Sequence, residues 1–206
     1  MEQFATEEQQ VEAIKKFWKD HGTAIIIGAV VGFGGLIGWR KYDESQIAAK
    51  EAASEAYQTA VETLVDENGE ANVSAFISST TDSGYADIAG LVLAQQAVND
   101  GDFEKAATEL ARVFNSPIAP EVSAVAGLRL ARVQMELDQA DQALVTLNAI
   151  QQASFKPQIE ELKGDAYVKQ GKAEQARVAY TAALESNENN RLLQMKLDNL
   201  SLQTDA

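Results

Sequence analysis

An uncharged stretch near the N-terminus constrains this chain more than any other feature. Residues 23–39 read T-A-I-I-I-G-A-V-V-G-F-G-G-L-I-G-W, without one ionisable side chain. In hydrocarbon every backbone N–H and C=O must find a partner within the segment, so such a run spans a bilayer as a helix. Seventeen residues is short for a span, about 20 being usual. The flanks supply the rest. Trp18 and Trp39 lie 21 positions apart, about 31 Å along a helix, which places one indole in each interface. Lys15, Lys16 and Lys19 precede the run, and Arg40 and Lys41 follow it. A cleaved signal sequence is the competing reading. However, Trp39-Arg40-Lys41 stands where a small-x-small cleavage site belongs, so a retained anchor is expected.

Charge does not orient the anchor: Lys15, Lys16 and Lys19 on one side balance Arg40, Lys41 and Lys50 on the other. Gly28 and Gly32, like Gly34 and Gly38, form small-xxx-small pairs, the pattern that lets a second membrane helix approach closely. These four glycines are the candidate transmembrane packing residues. Ahead of the anchor, Thr6-Glu7-Glu8-Gln9 suits a helix start. Val11, Ile14, Phe17 and Trp18 then share one face, which predicts a short interfacial helix.

The remainder of the chain repeats itself. Asn99-Asp100-Gly101-Asp102, Leu137-Asp138-Gln139-Ala140 and Gln170-Gly171-Lys172-Ala173 each separate two helical runs, and Ala106, Ala143 and Ala176 recur in the second run of each pair. A period of this size with small residues at the helix crossings resembles the tetratricopeptide repeat. The third copy fits best, through Gly164, Tyr167, Gly171, Ala176, Tyr180 and Ala183, although Glu188 stands where that repeat often has proline. In the other copies Ala94 and Ala131 replace the first glycine, and Asp138 replaces the turn glycine. Helix pairs are predicted at 85–99 with 103–115, 121–137 with 140–152, and 157–170 with 173–186. Pro117 and Pro120 break the chain between the first two pairs. Residues 191–202 read as a capping helix for the last apolar face. Residues 45–65 form a long helical run and 72–77 a short helix, with turns at 66–70 and 78–84.

The expected fold is therefore all-α: a single-pass transmembrane helix followed by a tetratricopeptide-like solenoid of helical hairpins. Its parts are an N-terminal segment (1–22), the span (23–39), an acidic connector and cap (40–84), the repeats (85–190), and a capping helix with its tail (191–206).

Composition narrows function. The net charge of −14 lacks the basic surface that nucleic acid requires. From residue 42 to 104 there are 13 acids against Lys50 alone, whereas from 105 to 206 there are 13 acids and 11 bases. Neither a disulfide nor a thiol-based site is possible without cysteine. The single histidine, His21, sits at the membrane edge and has no partner for acid–base or nucleophilic work. Asp100-Gly101-Asp102 lacks the 12-residue pattern of a calcium loop. No cofactor, metal site or catalytic residue is expected, and binding other proteins is.

In a tetratricopeptide-like domain the first helix of each pair lines a groove. On this chain those positions are Ile88, Leu91, Gln95, Val98 and Asn99, then Val125, Leu128, Arg132, Met135 and Glu136, then Gln158, Glu161, Asp165, Val168 and Lys169. Copies one and two combine an apolar lining with Arg132, a surface suited to a partner segment. The alternative is that the protein's own 45–65 helix fills the groove.

The whole chain resembles the YfgM family of ancillary SecYEG translocon subunits. The resemblance is carried by Gln10-Val11-Glu12-Ala13 before Lys15-Lys16-Phe17, and by Gly35-Leu36-Ile37-Gly38-Trp39-Arg40. In the repeats it is carried by Leu128-Arg129-Leu130-Ala131-Arg132-Val133-Gln134 with Gln139-Ala140-Asp141. It implies an inner-membrane protein with a cytoplasmic N-terminus and a periplasmic repeat domain. It also implies association with SecYEG and with the periplasmic chaperone PpiD, and handling of nascent secretory proteins as they emerge. A scaffold, or a membrane-proximal regulator that touches no client, is the alternative reading.

Overall fold

The computed structural model describes residues 7–66, 68–80, 84–185 and 189–204, and among them every regular element is helical. Thr6, Glu188 and the centre of the 78–84 turn lie outside the described residues. The chain forms two compact units, residues 1–52 and 53–206.

The first unit consists of helix α1, Glu7–Glu62, which runs on into the second. The expected separate interfacial helix is not a separate element. No proline interrupts the sequence between 9 and 62, so helix propagates through the anchor and beyond it. Arg40 Nε bonds Glu44 Oε1 at 2.9 Å one turn along, just past the anchor. The apolar band of α1 faces outward: Ile26, Val30, Phe33, Leu36 and Trp39 are all exposed, Trp39 by 72%. A soluble helix would cover such a band, and this one is long and apolar enough to cross a membrane.

In the second unit a 3-10 turn, Thr63–Val65, ends α1 and leads to α2, Gly69–Ser79. α2 starts earlier than the sequence suggests because Gly69 opens it instead of sitting in a turn. A Cβ on Gly69 would lie 2.2 Å from the Thr63 carbonyl oxygen, so the chain turns this tightly only at glycine. Tyr57, Ala60 and Leu64 pack with Val73, Phe76 and Ile77 of α2 and with Ala89 and Leu93 beyond it, making the N-terminal cluster.

Three hairpins follow: α3, Gly84–Asn99, with α4, Phe103–Phe114; α5, Pro120–Glu136, with α6, Ala140–Ala149; and α7, Lys156–Lys169, with α8, Ala173–Leu184. Pro120 does not merely break the chain. It occupies the first turn of α5, where a missing N–H costs nothing. Asp102 caps α4 by accepting from the Lys105 amide at 3.0 Å.

The three hairpin turns share one geometry. Gly101, Asp138 and Gly171 all take positive φ, at 76°, 58° and 70°. In each, the amide of the next residue returns to a carbonyl five positions back: Asp102 to Ala97, Gln139 to Gln134 and Lys172 to Tyr167, at 2.8–2.9 Å. This double closure is the Schellman motif. It sets the register of the three copies structurally, counted back from residues 101, 138 and 171.

Within hairpins, small residues seat large ones. Ala94, Ala131, Ala106, Ala143 and Ala176 are buried at the crossings. Gly164 lies so near the Tyr180 ring that a Cβ there would fall 2.2 Å from it. α9, Arg191–Thr204, closes the array with Leu193 and Leu200 over Ala176, Tyr180 and Ala183.

Candidate partner-binding groove

Two first helices, α3 and α5, and the second helix between them, α4, leave a concavity of about 350 Å³. Leu91, Ala94, Gln95 and Val98 come from α3, Leu110 from α4, and Arg129, Arg132 and Val133 from α5. The spacing 91, 94, 95, 98 is one face of a helix, so α3 presents this wall as a stripe. Five of the eight lining residues are apolar, and the concavity holds no carboxylate.

Of the sequence-predicted residues, Leu91, Gln95, Val98 and Arg132 come together here. Leu128 and Met135 do not line it. They are 7% and 6% exposed, in the cluster that joins α5 to α6 and α7 through Ala143, Leu147, Ile159 and Leu162. α5 is apolar on more than one side because it packs against neighbours both before and after it, so these two residues face the later hairpin. Val125 is half-buried, and Ile88 is exposed outside this lining. Asn99 accepts from Gln95 Nε2 at 3.1 Å and so holds one wall residue. Glu136 is exposed and forms no ion pair with Arg132.

Sequence reading missed Arg129. It stands three residues before Arg132, on the same wall, a spacing that could have flagged it. Neither arginine has a hydrogen bond or ion pair among the described residues. Arg112, the nearby cation of α4, is by contrast engaged. It donates to the Ala86 carbonyl at 3.2 Å, pairs with Glu109 and lies 3.8 Å from Asp87. Asp87 is only 3% exposed and also accepts from Ser116 Oγ at 2.6 Å.

The 45–65 run does not fill this concavity from within the second unit. Tyr57, Ala60 and Leu64 are committed to the N-terminal cluster, and none of residues 53–65 is in the lining.

In the third copy the equivalent surface is already used. Lys196 of α9 reaches Glu161 at 2.9 Å and Asp165 at 2.8 Å. Tyr180 donates its hydroxyl to Asp165 at 2.7 Å. Burial pushes the Tyr180 hydroxyl well above the ordinary range, and Asp165 adds to this. Burial alone would lower Lys196, but its hydrogen bonds to Asp165 and Glu161 outweigh that and raise it. Lys169 donates to the Met135 carbonyl at 2.6 Å, which ties the third hairpin to the second. Gln158 and Val168 remain exposed.

In the anchor, a Cβ added at Gly28, Gly32, Gly34 or Gly38 would meet nothing within 4 Å. Among the described residues no group of histidine, aspartate and glutamate could hold a metal ion. Asp102 is a helix cap and Asp100 accepts from Gln96.

Comparison with known proteins gives the same outline. Residues 15–202 match the family described as a tetratricopeptide repeat-like domain. The chain is 37% identical to the ancillary SecYEG translocon subunit of Escherichia coli (strain K12), over 98% of this chain and all of that protein. It is 32% identical to the protein of the same description in Haemophilus influenzae, over 94% of this chain and 97% of that one. Among solved structures, the MamA RS-1 ArsTM double mutant superposes with a TM-score of 0.59 at 17% identity, over 75% of this chain and 84% of that one, a likeness of fold alone.

Proposed function

The chain belongs to the family of ancillary SecYEG translocon subunits, and from that premise we propose that its α3–α5 groove receives segments of other proteins at the exit of the channel: the PpiD-type chaperone and secretory chains as they emerge. This is a translocon-associated protein of the inner membrane, held by one N-terminal helix, with a periplasmic tetratricopeptide-like domain that is an interaction module and not an enzyme.

One observation supports the finer reading most: the concavity with an apolar floor and two unpartnered arginines. Arginine beside a desolvated apolar patch is a common composition of binding hot spots. The glycine pairs of α1, Gly28 with Gly32 and Gly34 with Gly38, support a second contact, with another helix inside the membrane.

A photo-crosslinking residue at Gln95 in the full chain, activated in intact inner membranes during secretion, tests the groove. Adducts with the PpiD-type chaperone or with nascent secretory chains support it. Adducts with channel subunits alone favour the scaffold reading, and no adduct at Gln95 removes this groove from the mechanism.

A further inference from the structure

We infer that the α3–α5 groove selects an acidic segment of a partner protein, in which leucine-like side chains alternate with glutamate or aspartate. This rests on the groove reading above and specifies its occupant.

The first argument is where the cations are spent. In the repeats and cap, Lys105 pairs with Glu70, Lys163 with Glu160, Lys169 with Asp138, Arg177 with Glu174, and Lys196 with Glu161 and Asp165. In a chain of net charge −14, carboxylates outnumber bases. Lys156 and Lys172 take none of them, but Arg129 and Arg132 stand one turn apart on a single wall, also without an ion pair among the described residues, and the concavity they face contains no carboxylate. Two like charges on neighbouring turns repel, and an anion docked between them turns that repulsion into attraction.

The second argument comes from the fold's own register. Counted back from the turn residues at 101, 138 and 171, Gln95, Arg132 and Asp165 occupy the same position in the three copies. In the third copy that position is paired: Lys196 of α9, the next helix in the stack, meets Asp165 at 2.8 Å, while Leu193 and Leu200 pack on Ala176, Tyr180 and Ala183 of α8. At that position the third copy therefore meets a charge of opposite sign from the element stacked next to it, beside apolar contacts. In the second copy the sign of the charge is inverted and no segment of the described chain provides the counterpart. The complementary ligand is a carboxylate flanked by apolar side chains. A guanidinium binds a carboxylate through two parallel N–H donors, so arginine gives the site geometric preference as well as charge.

The test uses the full chain in nanodiscs of zwitterionic lipid and fluorescent peptides blocked at both ends. Their cores are Leu-Glu-Leu-Glu-Leu, the same with Gln for Glu, and the same with Lys for Glu. The expected result is anisotropy binding of the Glu peptide that weakens about ten-fold or more with Gln. The Arg129→Glu/Arg132→Glu variant, both sites being exposed, should keep its melting temperature, lose the Glu peptide and gain the Lys peptide. Equal binding of Glu and Gln peptides, abolished by Leu91→Gln/Val98→Gln, would overturn the acidic preference and leave the groove standing. Binding indifferent to both pairs of substitutions would place the peptides elsewhere and remove the groove itself. Absence of all peptide binding would overturn the acidic inference alone, the groove then being judged by the Gln95 crosslinks. A Gln peptide with a free C-terminus that matches the Glu peptide would also overturn it, in favour of a chain-end carboxylate.

Discussion

Asp138 holds a conformation that its two counterparts, Gly101 and Gly171, reach without a side chain. Left-handed backbone costs an L-residue about 1–2 kcal/mol, less for Asp than for most. Its pairing with Lys169 at 3.9 Å is almost fully exposed on the Asp138 side and offsets little of this. Asp138→Gly should therefore stabilise the domain by about 0.5–1 kcal/mol, a rise of about 1–4 °C in melting temperature. Gly171→Ala should lower stability by about 1 kcal/mol. Thermal circular dichroism on both variants checks this, and a fall in melting temperature for Asp138→Gly would show that the turn is not strained. At this scale the sequence was partly legible. The resemblance to the tetratricopeptide repeat identified Asp138 as the stand-in for a turn glycine and Gly164 as one of its small residues. It misplaced Leu128 and Met135, because helical periodicity tells which residues share a face but not which neighbour that face meets. In α5, packed on both flanks, the same pattern serves the core and the groove.

α9 could be read as a cap from Leu193, Leu197 and Leu200, since an array must cover its last apolar face. Its polar anchor could not. Lys196 meets Asp165 and Glu161 across more than thirty residues of chain, a pairing that no local spacing encodes. That anchor makes α9 sensitive to alkali. Tyr180 and Lys196 both have raised pKa values in the folded protein. The stability they contribute is complete below their unfolded values, about 10 and 10.4, and is lost as pH rises through the folded ones. Melting temperature should hold to about pH 10 and then fall, and Tyr180→Phe should make that fall shallower. A pH titration of thermal unfolding measures it, and identical alkaline limbs in the two proteins would exclude Tyr180 as a source. In α1, the Gly28–Gly32 pair carries its own test. Gly32→Leu adds bulk where a second helix would approach, so less of the membrane partner should co-purify in mild detergent. Undiminished recovery would make those glycines compositional only.

For the molecule as a whole, charge is divided along the sequence. Thirteen acids against one base from residue 42 to 104 repel one another. Salt screens that repulsion with a Debye length of about 8 Å at physiological ionic strength, so melting temperature should rise between very low salt and about 0.15 M. A fall over that range would mean that the ion pairs of the later repeats dominate instead. The helical hairpins were legible to within three residues, and best at their inner turns, because each turn has specific backbone demands. The continuity of α1 was not, because changes in polarity at its anchor's edges suggest boundaries that the backbone hydrogen bonding ignores.

The position of the groove along the sequence has a consequence for how the protein is made. All of its lining residues fall between Leu91 and Val133, whereas Lys196, which fastens α9, is synthesised about sixty residues later. Stacked hairpins fold by adding neighbours to those already formed, and chains fold first from the end that appears first. In a newly made copy the surface proposed to receive other proteins can thus form before α9 is docked. That copy can meet its first partner before its own cap is in place.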